Sequence, residues 1–120
     1  TYVVDALNQF GLAYLHLVEP RVAGNETVEN PTSELSSKYF RPIFKGTLIS
    51  AGGYDRESGN EVLASGDADL VAYGRLFISN PDLPQRFAID AQLNPYDRSS
   101  FYGGDERGYT DYPSLELQAI

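Results

Sequence analysis

Three short, nearly continuous apolar runs constrain the fold of this chain most. They occupy residues 13–18, 47–51 and 69–73, and each ends at or near a proline or a glycine. Apolar runs of this length without polar alternation are typical of strands buried on both faces of a parallel sheet. Segments with helical spacing separate the three runs. The alternation predicts right-handed β–α–β crossovers and an α/β fold built on a parallel sheet.

The segments around these runs carry helix signals. Residues 1–10 have apolar positions near a 3.6 period, and a hydroxyl cap at Thr32 or Ser33 precedes the next predicted helix. A third helix is predicted over 57–65, and a fourth begins at 80–82, where an asparagine, a proline and an aspartate follow one another.

Two stretches show no clear period. Residues 22–31 are polar and loop-like, and the chain from Asn94 onward is rich in Tyr, Gly, Asp and Pro, which predicts an ordered but irregular tail. The first helix begins without a start methionine or a cap. Three strands cannot close a barrel and leave two open edges, so we expect a sector of a larger α/β fold, cut from something longer.

Charge and composition exclude several classes of function. The 120 residues hold 9 Lys+Arg against 17 Asp+Glu, for a net charge of −8, and no dense basic cluster, which argues against nucleic-acid binding. With no Cys and one His, neither a disulfide framework nor a zinc site is expected. No apolar run approaches a membrane span and no secretion signal is visible, so we expect a cytoplasmic protein that does not bind membranes.

Candidate functional residues follow the three strands. In parallel α/β folds ligands bind at the carboxyl ends of the strands, which here are residues 19–21, 51–54 and 73–75. Glycines let backbone N–H groups approach an anion, and Arg75 offers a permanent cationic fork to a phosphate. The alternative is that the glycines only close tight turns and Arg75 pairs with a carboxylate. The pattern leaves both interpretations open.

Other side chains carry weaker signals. His16 lies within a predicted buried strand, where a hydrogen-bonded core histidine is favoured over a catalytic one. The tail is rich in aromatic residues that either line an apolar pocket or cover the fold, with covering slightly favoured. They are Tyr96, Phe101, Tyr102, Tyr109 and Tyr112.

A longer ordered set of motifs resembles a known family. These motifs are the Glu-Pro-Arg of residues 19–21, together with residues 50–57, 67–84 and 108–113. They resemble the C-terminal part of the Old Yellow Enzyme family of flavoproteins (NADH:flavin oxidoreductases). Within that family they are most similar to the 12-oxophytodienoate reductases and related alkene reductases. The resemblance extends over essentially the whole chain.

The resemblance implies a fold and an activity. Residues 1–120 would form a partial FMN-binding (β/α)8 TIM-barrel domain, the C-terminal sector with strands six to eight, their helices and the tail, with the N-terminal strands missing. The full-length parent would be an NADPH-dependent FMN oxidoreductase. It would pass hydride from NADPH through the flavin to the C=C bond of an α,β-unsaturated carbonyl compound, an enone. The 120-residue chain alone is expected to be inactive, because the family's flavin-ring and proton-donor contacts come from strands one to five.

Individual positions carry roles over from the family motifs. Gly53 matches a backbone contact to FMN, and Gly74 with Arg75 matches the contact to its phosphate, in line with the phosphate interpretation above. Arg21 matches a residue that contacts substrate in the 12-oxophytodienoate reductases, and Tyr102 matches an aromatic residue of the substrate pocket. No catalytic residue and no metal ligand is carried over to this chain.

Two alternatives remain beside the fragment of an ene-reductase. One is a truncated, non-catalytic paralogue that binds flavin phosphate or associates with a full-length barrel through its open strand edges, so that a partner chain replaces the missing part. The other is a different flavin barrel of the dienoyl-CoA reductase type, although those commonly carry iron–sulfur cysteines and this chain has none.

Overall fold

The computed structural model describes residues 1–23, 26–27 and 35–115. The chain divides into two compact units, Thr1–Tyr73 and Gly74–Ile120. The first unit contains, in chain order, α1 (Tyr2–Leu7), a 3₁₀ turn (Asn8–Phe10), β1 (Leu15–Val18), β2 (Val22–Ala23), β3 (Glu26–Thr27), α2 (Ser36–Phe40), β4 (Leu48–Ala51), α3 (Arg56–Ala64) and β5 (Leu70–Ala72). The second contains α4 (Arg75–Ser79), α5 (Leu83–Ala88) and a 3₁₀ turn (Arg98–Ser100).

The three predicted strands form one parallel sheet. Its strand order is β1-β4-β5, which confirms the predicted alternation of strands and helices. Val18 pairs with Ala51, and Ala51 pairs with Ala72, so the three strands end level with one another. Residues that follow the strands therefore begin at one edge of the sheet.

One face of this sheet is packed and the other is exposed. Leu15 and Leu17 contact a core cluster that contains the buried Leu48. Successive side chains of a strand point to opposite faces, and on the other face Val18 is 63% exposed and Leu70 53% exposed. Within the first unit, Val4 of α1 and Val62 of α3 belong to core clusters that include residues of the packed face.

The exposed face corrects the prediction for the first strand. His16 is exposed rather than buried, because it alternates with Leu15 and Leu17 on the uncovered side. A continuous apolar run was interpreted as two buried faces. Here it produces one packed face and one apolar face that is open to solvent.

Two further sequence predictions concern the residues that precede α2. The predicted loop over 22–31 contains a short antiparallel pair, β2 with β3, in which Val22 pairs with Thr27. The predicted caps at Thr32 and Ser33 lie outside the described residues. The helix itself begins at Ser36.

Helix α3 was predicted within one residue at each end. Asp55 is its N-cap, and Asp55 and Ser58 form a capping box in which each side chain accepts from the other's backbone N–H. Gly66 follows the helix with φ +79°, as a C-terminal glycine should. Val62 of this helix is buried, whereas the next residue, Leu63, is 42% exposed.

The second unit contains a helix that the sequence did not predict, the five-residue α4. Helix α5 follows directly after the predicted start at 80–82, with Asp82 at its N-cap.

The buried Asn80 accepts from the backbone N–H of Asn94 at 2.7 Å, and the Asn94 amide donates to the carbonyl of Pro113 at 2.9 Å. The predicted irregular tail is thus held by side-chain hydrogen bonds to backbone.

Over the described ranges, the chain has neither a membrane-spanning helix nor a cluster of metal-ligating side chains. Every helix there is too short or too polar to cross a bilayer. Across residues 1–23, 26–27 and 35–115, no three acidic, His or Cys side chains converge in a way that could bind a metal ion.

Candidate functional site

Arg21 lies just beyond the end of β1 and contacts the residues that follow β4. Its Nη2 donates to the carbonyl oxygen of Gly52 at 2.9 Å. Its guanidinium carbon lies 4.5 Å from the centre of the Tyr54 ring, in a cation–π contact. Because β1 and β4 end level with each other, the Glu-Pro-Arg turn places this side chain against the Gly52–Tyr54 turn.

The Nε atom of Arg21 is a buried donor that lacks an acceptor among the described residues. Leaving such a donor unpaired costs about 1–3 kcal/mol, and more for a charged group. On the neighbouring turn, a Cβ added to Gly53 would lie 3.6 Å from Nε. A cationic side chain with an unpaired donor therefore borders an exposed glycine.

Glu19, the first residue of the same motif, is fully buried and completely paired. Its Oε1 accepts from the Ser50 hydroxyl at 2.6 Å and from the backbone N–H of Ser37 at 3.1 Å, and its Oε2 accepts from the N–H of Ser36. The Ser50 hydroxyl also lies 2.7 Å from the hydroxyl of Tyr54. One carboxylate thus connects the start of α2, strand β4 and the ring beneath Arg21.

The turn after β4 has the left-handed backbone that glycine favours. Gly52 has φ +115° and Gly53 has φ +71°, where a side chain would be strained. Gly53 is exposed, so its backbone is accessible at the end of the strand. The sequence identified both glycines, and their conformation requires that residue type.

Gly74 and Arg75 lie in the second unit, at the start of α4. Gly74 is exposed, and a Cβ added there would meet nothing within 4 Å. The guanidinium of Arg75 lies 5.7 Å from the centre of the Tyr96 ring. Tyr96 in turn packs on the buried Phe101, with ring centres 5.8 Å apart. An aromatic pair of the tail therefore supports the Arg75 side chain beside open space.

Tyr102, the other residue carried over as a substrate contact, is 85% exposed. It neighbours Phe101, which is buried within the second unit, so the two adjacent aromatic residues of the tail have opposite environments. Tyr109 is also exposed. Part of the aromatic tail covers its own unit, and the rest faces solvent.

Two ionisable groups near the β4 turn, Asp55 and Tyr73, have pKa values that the fold shifts. Burial, and then the charge of Asp55, raises the pKa of Tyr73, and its hydroxyl donates to the Asp55 carbonyl at 2.9 Å. The backbone N–H of Ser58, followed by its hydroxyl, lowers the pKa of the Asp55 carboxyl. General acid–base residues usually titrate near the working pH, and both shifts move these two groups away from neutral pH.

Sequence reasoning missed the roles of Ser50 and Tyr54. The available signal was Ser50 itself, a polar residue within an otherwise apolar strand. A buried hydroxyl needs a partner, and Glu19 supplies it.

Comparison with known proteins places this arrangement in a family. The sequence profile of the NADH:flavin oxidoreductase / NADH oxidase family matches residues 2–94. The chain is 53% identical over 119 residues to 12-oxophytodienoate reductase 2 of Arabidopsis thaliana, covering 98% of this chain and 31% of that protein. It is 58% identical over 118 residues to 12-oxophytodienoate reductase 1 of Oryza sativa subsp. japonica, covering 97% and 30%.

Similar solved structures agree with the family match. Morphinone reductase matches with a TM-score of 0.82 and 44% identity over 99% of this chain and 31% of that one. Morphinone reductase in complex with tetrahydroNAD matches with a TM-score of 0.80 and 44% identity, covering 99% and 30%. The chain spans about a third of the length of these proteins. The resemblance drawn from the motifs is confirmed, and the chain belongs to the NADH:flavin oxidoreductase / NADH oxidase family.

Proposed function

We propose that this chain forms the FMN-phosphate side and part of the substrate side of an ene-reductase that reduces enones with NADPH. It would supply strands six, seven and eight of a (β/α)8 barrel as β1, β4 and β5. The observation that carries the proposal is the identity of 53% to 58% with 12-oxophytodienoate reductases along nearly the whole chain. The parallel order β1-β4-β5 supports the assignment, because consecutive barrel strands are neighbours.

The residues present fit FMN. The exposed Gly53 offers backbone at a turn that excludes side chains, and Gly74 offers backbone beside open space. Arg75 would pair its cationic fork with the phosphate. When bound, the flavin supplies the hydride chemistry. Each of these three residues would contact the bound flavin.

Arg21 is the substrate-side residue of the first unit. Its guanidinium lies beside Gly53, so a ligand oxygen that reaches this turn would meet a fixed positive charge. An enone carries such an oxygen. Tyr102 would contribute from the exposed part of the tail.

A second function, a non-catalytic chain that associates with a full-length barrel, is favoured by one observation. The apolar sheet face is open at Val18 and Leu70, and β1 and β5 are the outer strands of the described sheet. A partner chain with complementary parallel strands would cover this face and both edges. Such a chain would bind flavin phosphate at most.

A chimera tests the primary proposal. The matching segment of Arabidopsis 12-oxophytodienoate reductase 2, about 31% of that protein, is replaced by this chain, and the product is called the chimera below. We expect it to bind FMN and to reduce an enone with NADPH at a rate comparable to that of the unchanged relative. Failure to bind FMN, while the unchanged relative does, would overturn the proposal. FMN binding without enone reduction would favour the non-catalytic alternative.

A substitution at Arg75 tests its proposed contact with the FMN phosphate. Arg75→Ala in the chimera should weaken FMN binding by about 10- to 100-fold, the loss of one charge-assisted contact. Arg107→Ala is the matched control, since it removes the same charge from a largely exposed residue of the same unit. Equal FMN affinity in the two variants would contradict the role of Arg75.

A further inference from the structure

We propose that Tyr54 is a positioning residue for Arg21, held in place through Ser50 by the buried Glu19. The ring of Tyr54 would set the direction in which the guanidinium presents its N–H groups to a substrate oxygen. The consequence for substrate binding rests on the proposed function. The contact between the two side chains does not.

The guanidinium of Arg21 depends on Tyr54 because it has little else to hold it. In the described part of the chain, Nη2 is its one nitrogen with a hydrogen-bond acceptor, the Gly52 carbonyl. A single hydrogen bond leaves the guanidinium plane free to rotate about it. The Tyr54 ring, 4.5 Å from the guanidinium carbon, fixes that plane.

Stacking is the arrangement that leaves the guanidinium useful to a ligand. A ring contacts the face of the guanidinium, whereas hydrogen bonds leave from its edge. The guanidinium carbon lies over the Tyr54 ring, and the Gly52 carbonyl occupies one edge position, at Nη2. Nε is buried, so the edge position left for an oxygen acceptor is Nη1, which has no acceptor among the described residues. A carboxylate partner for Arg21 would have occupied that edge.

The ring itself is anchored from below. Tyr54 is buried, and its hydroxyl lies 2.7 Å from the Ser50 hydroxyl, which donates to Glu19 at 2.6 Å. Two backbone N–H groups at the start of α2 fix that carboxylate. Buried and fully paired networks of this kind are rigid. Glu19 and Arg21 belong to the same Glu-Pro-Arg motif. The carboxylate of Glu19 therefore helps to hold the Tyr54 ring that the Arg21 guanidinium contacts.

The test uses three substitutions in the chimera. Tyr54→Leu removes the ring, Tyr54→Phe removes the hydroxyl alone, and Arg21→Ala removes the guanidinium. Tyr54→Leu should raise the KM for the enone about 3- to 30-fold, the range of a cation–π contact, with kcat and FMN affinity changed less than about twofold. Tyr54→Phe should raise KM by less than about threefold. Tyr39→Leu, at an exposed tyrosine of α2, is the matched control and should leave KM unchanged.

A double-mutant comparison distinguishes a Tyr54 side chain that positions Arg21 from one that only stabilises the fold. In the Arg21→Ala background, Tyr54→Leu should change KM by less than about twofold, since the group it orients is gone. Independent, multiplying effects of the two substitutions would overturn the proposal. So would a Tyr54→Leu variant in which kcat and FMN affinity fall together with substrate affinity.

A second readout does not depend on activity. In the chimera with ¹⁵N-labelled arginine, the Nε–H signal of Arg21, assigned with the Arg21→Ala variant, should carry the upfield shift of a group above an aromatic ring. The shift should persist in Tyr54→Phe and disappear in Tyr54→Leu. An unshifted signal in the unsubstituted chimera would overturn the inference even if the enzyme is active. A shifted signal in an inactive chimera would support the contact while the proposed function fails.

Discussion

Asp82 and Arg86 form a buried ion pair at the start of α5, with Nε of the arginine 2.8 Å from Oδ1 of the aspartate. Arg86 is 1% exposed, and it also donates to the carbonyls of Gln92 at 2.7 Å and Pro113 at 3.1 Å. The other oxygen of Asp82 accepts from the N–H of Leu115. The pair therefore joins α5 to two separate parts of the tail.

Removing one member of this pair should be severely destabilising. Arg86→Met leaves the Asp82 carboxylate buried without its cation, and breaking such a pair costs about 3–5 kcal/mol. Urea unfolding of the chimera and of its variant measures the difference. Arg107→Met removes an exposed pair with Asp105 and should cost less than about 1 kcal/mol. Similar losses for the two variants would show that burial does not control the contribution.

Acid should weaken the first unit through Asp69. The backbone N–H of Leu48, and then the Arg41 side chain, lowers the pKa of this carboxyl. A carboxyl whose pKa is lowered by folding stabilises the protein above its unfolded pKa, and that contribution is lost as the pH falls through the folded pKa. Asp69→Asn should therefore be less stable than the parent chimera at pH 7, with a difference that shrinks below about pH 4. Urea midpoints across that range measure it, and a difference independent of pH would contradict the assignment.

The sequence predicted the sheet well because its strands are defined locally. Apolar runs ended by glycine or proline were sufficient to locate β1, β4 and β5 in order. The exposure of His16 was not predictable in this way, because it depends on which face the helices cover. Helix α4 was missed because Gly74 before it was interpreted as a break, and five residues are too few to show a period.

The sequence indicated those candidate residues that local features mark, but not the contacts that depend on the folded sheet. Gly53, Gly74 and Arg75 could be selected because turn glycines and a following arginine are visible along the chain. The contact of Arg21 with Tyr54 depends on the register of β1 against β4, a property of the folded sheet. Ser50 was the available clue, and its partner Glu19 lies 31 positions earlier.

Gly59 in the middle of α3 illustrates a second contact that sequence cannot reveal. A Cβ at this position would collide with the hydroxyl of Tyr73, which is itself held by the Asp55 carbonyl. Gly59→Ala should destabilise the chimera by about 1–3 kcal/mol, although alanine is the better helix former. Adding Tyr73→Phe removes the hydroxyl and should recover part of the loss. A stabilised Gly59→Ala variant would contradict the collision, and urea unfolding of the parent chimera and of the two variants measures the differences.

Alanine substitutions at Gly53 and Gly11 distinguish the effect of backbone strain on stability from an effect on cofactor binding. Both have left-handed backbone, at φ +71° and +58°, so Gly53→Ala and Gly11→Ala should each cost about 1–2 kcal/mol. Gly11 ends the first helical segment, with nothing within 4 Å of its missing Cβ, whereas Gly53 borders Arg21. Both variants should lose similar stability in urea, but Gly53→Ala alone should weaken FMN binding, measured by titration of the flavin-free chimera. Equal FMN affinity in the two variants would show that Gly53 serves the turn and not the cofactor.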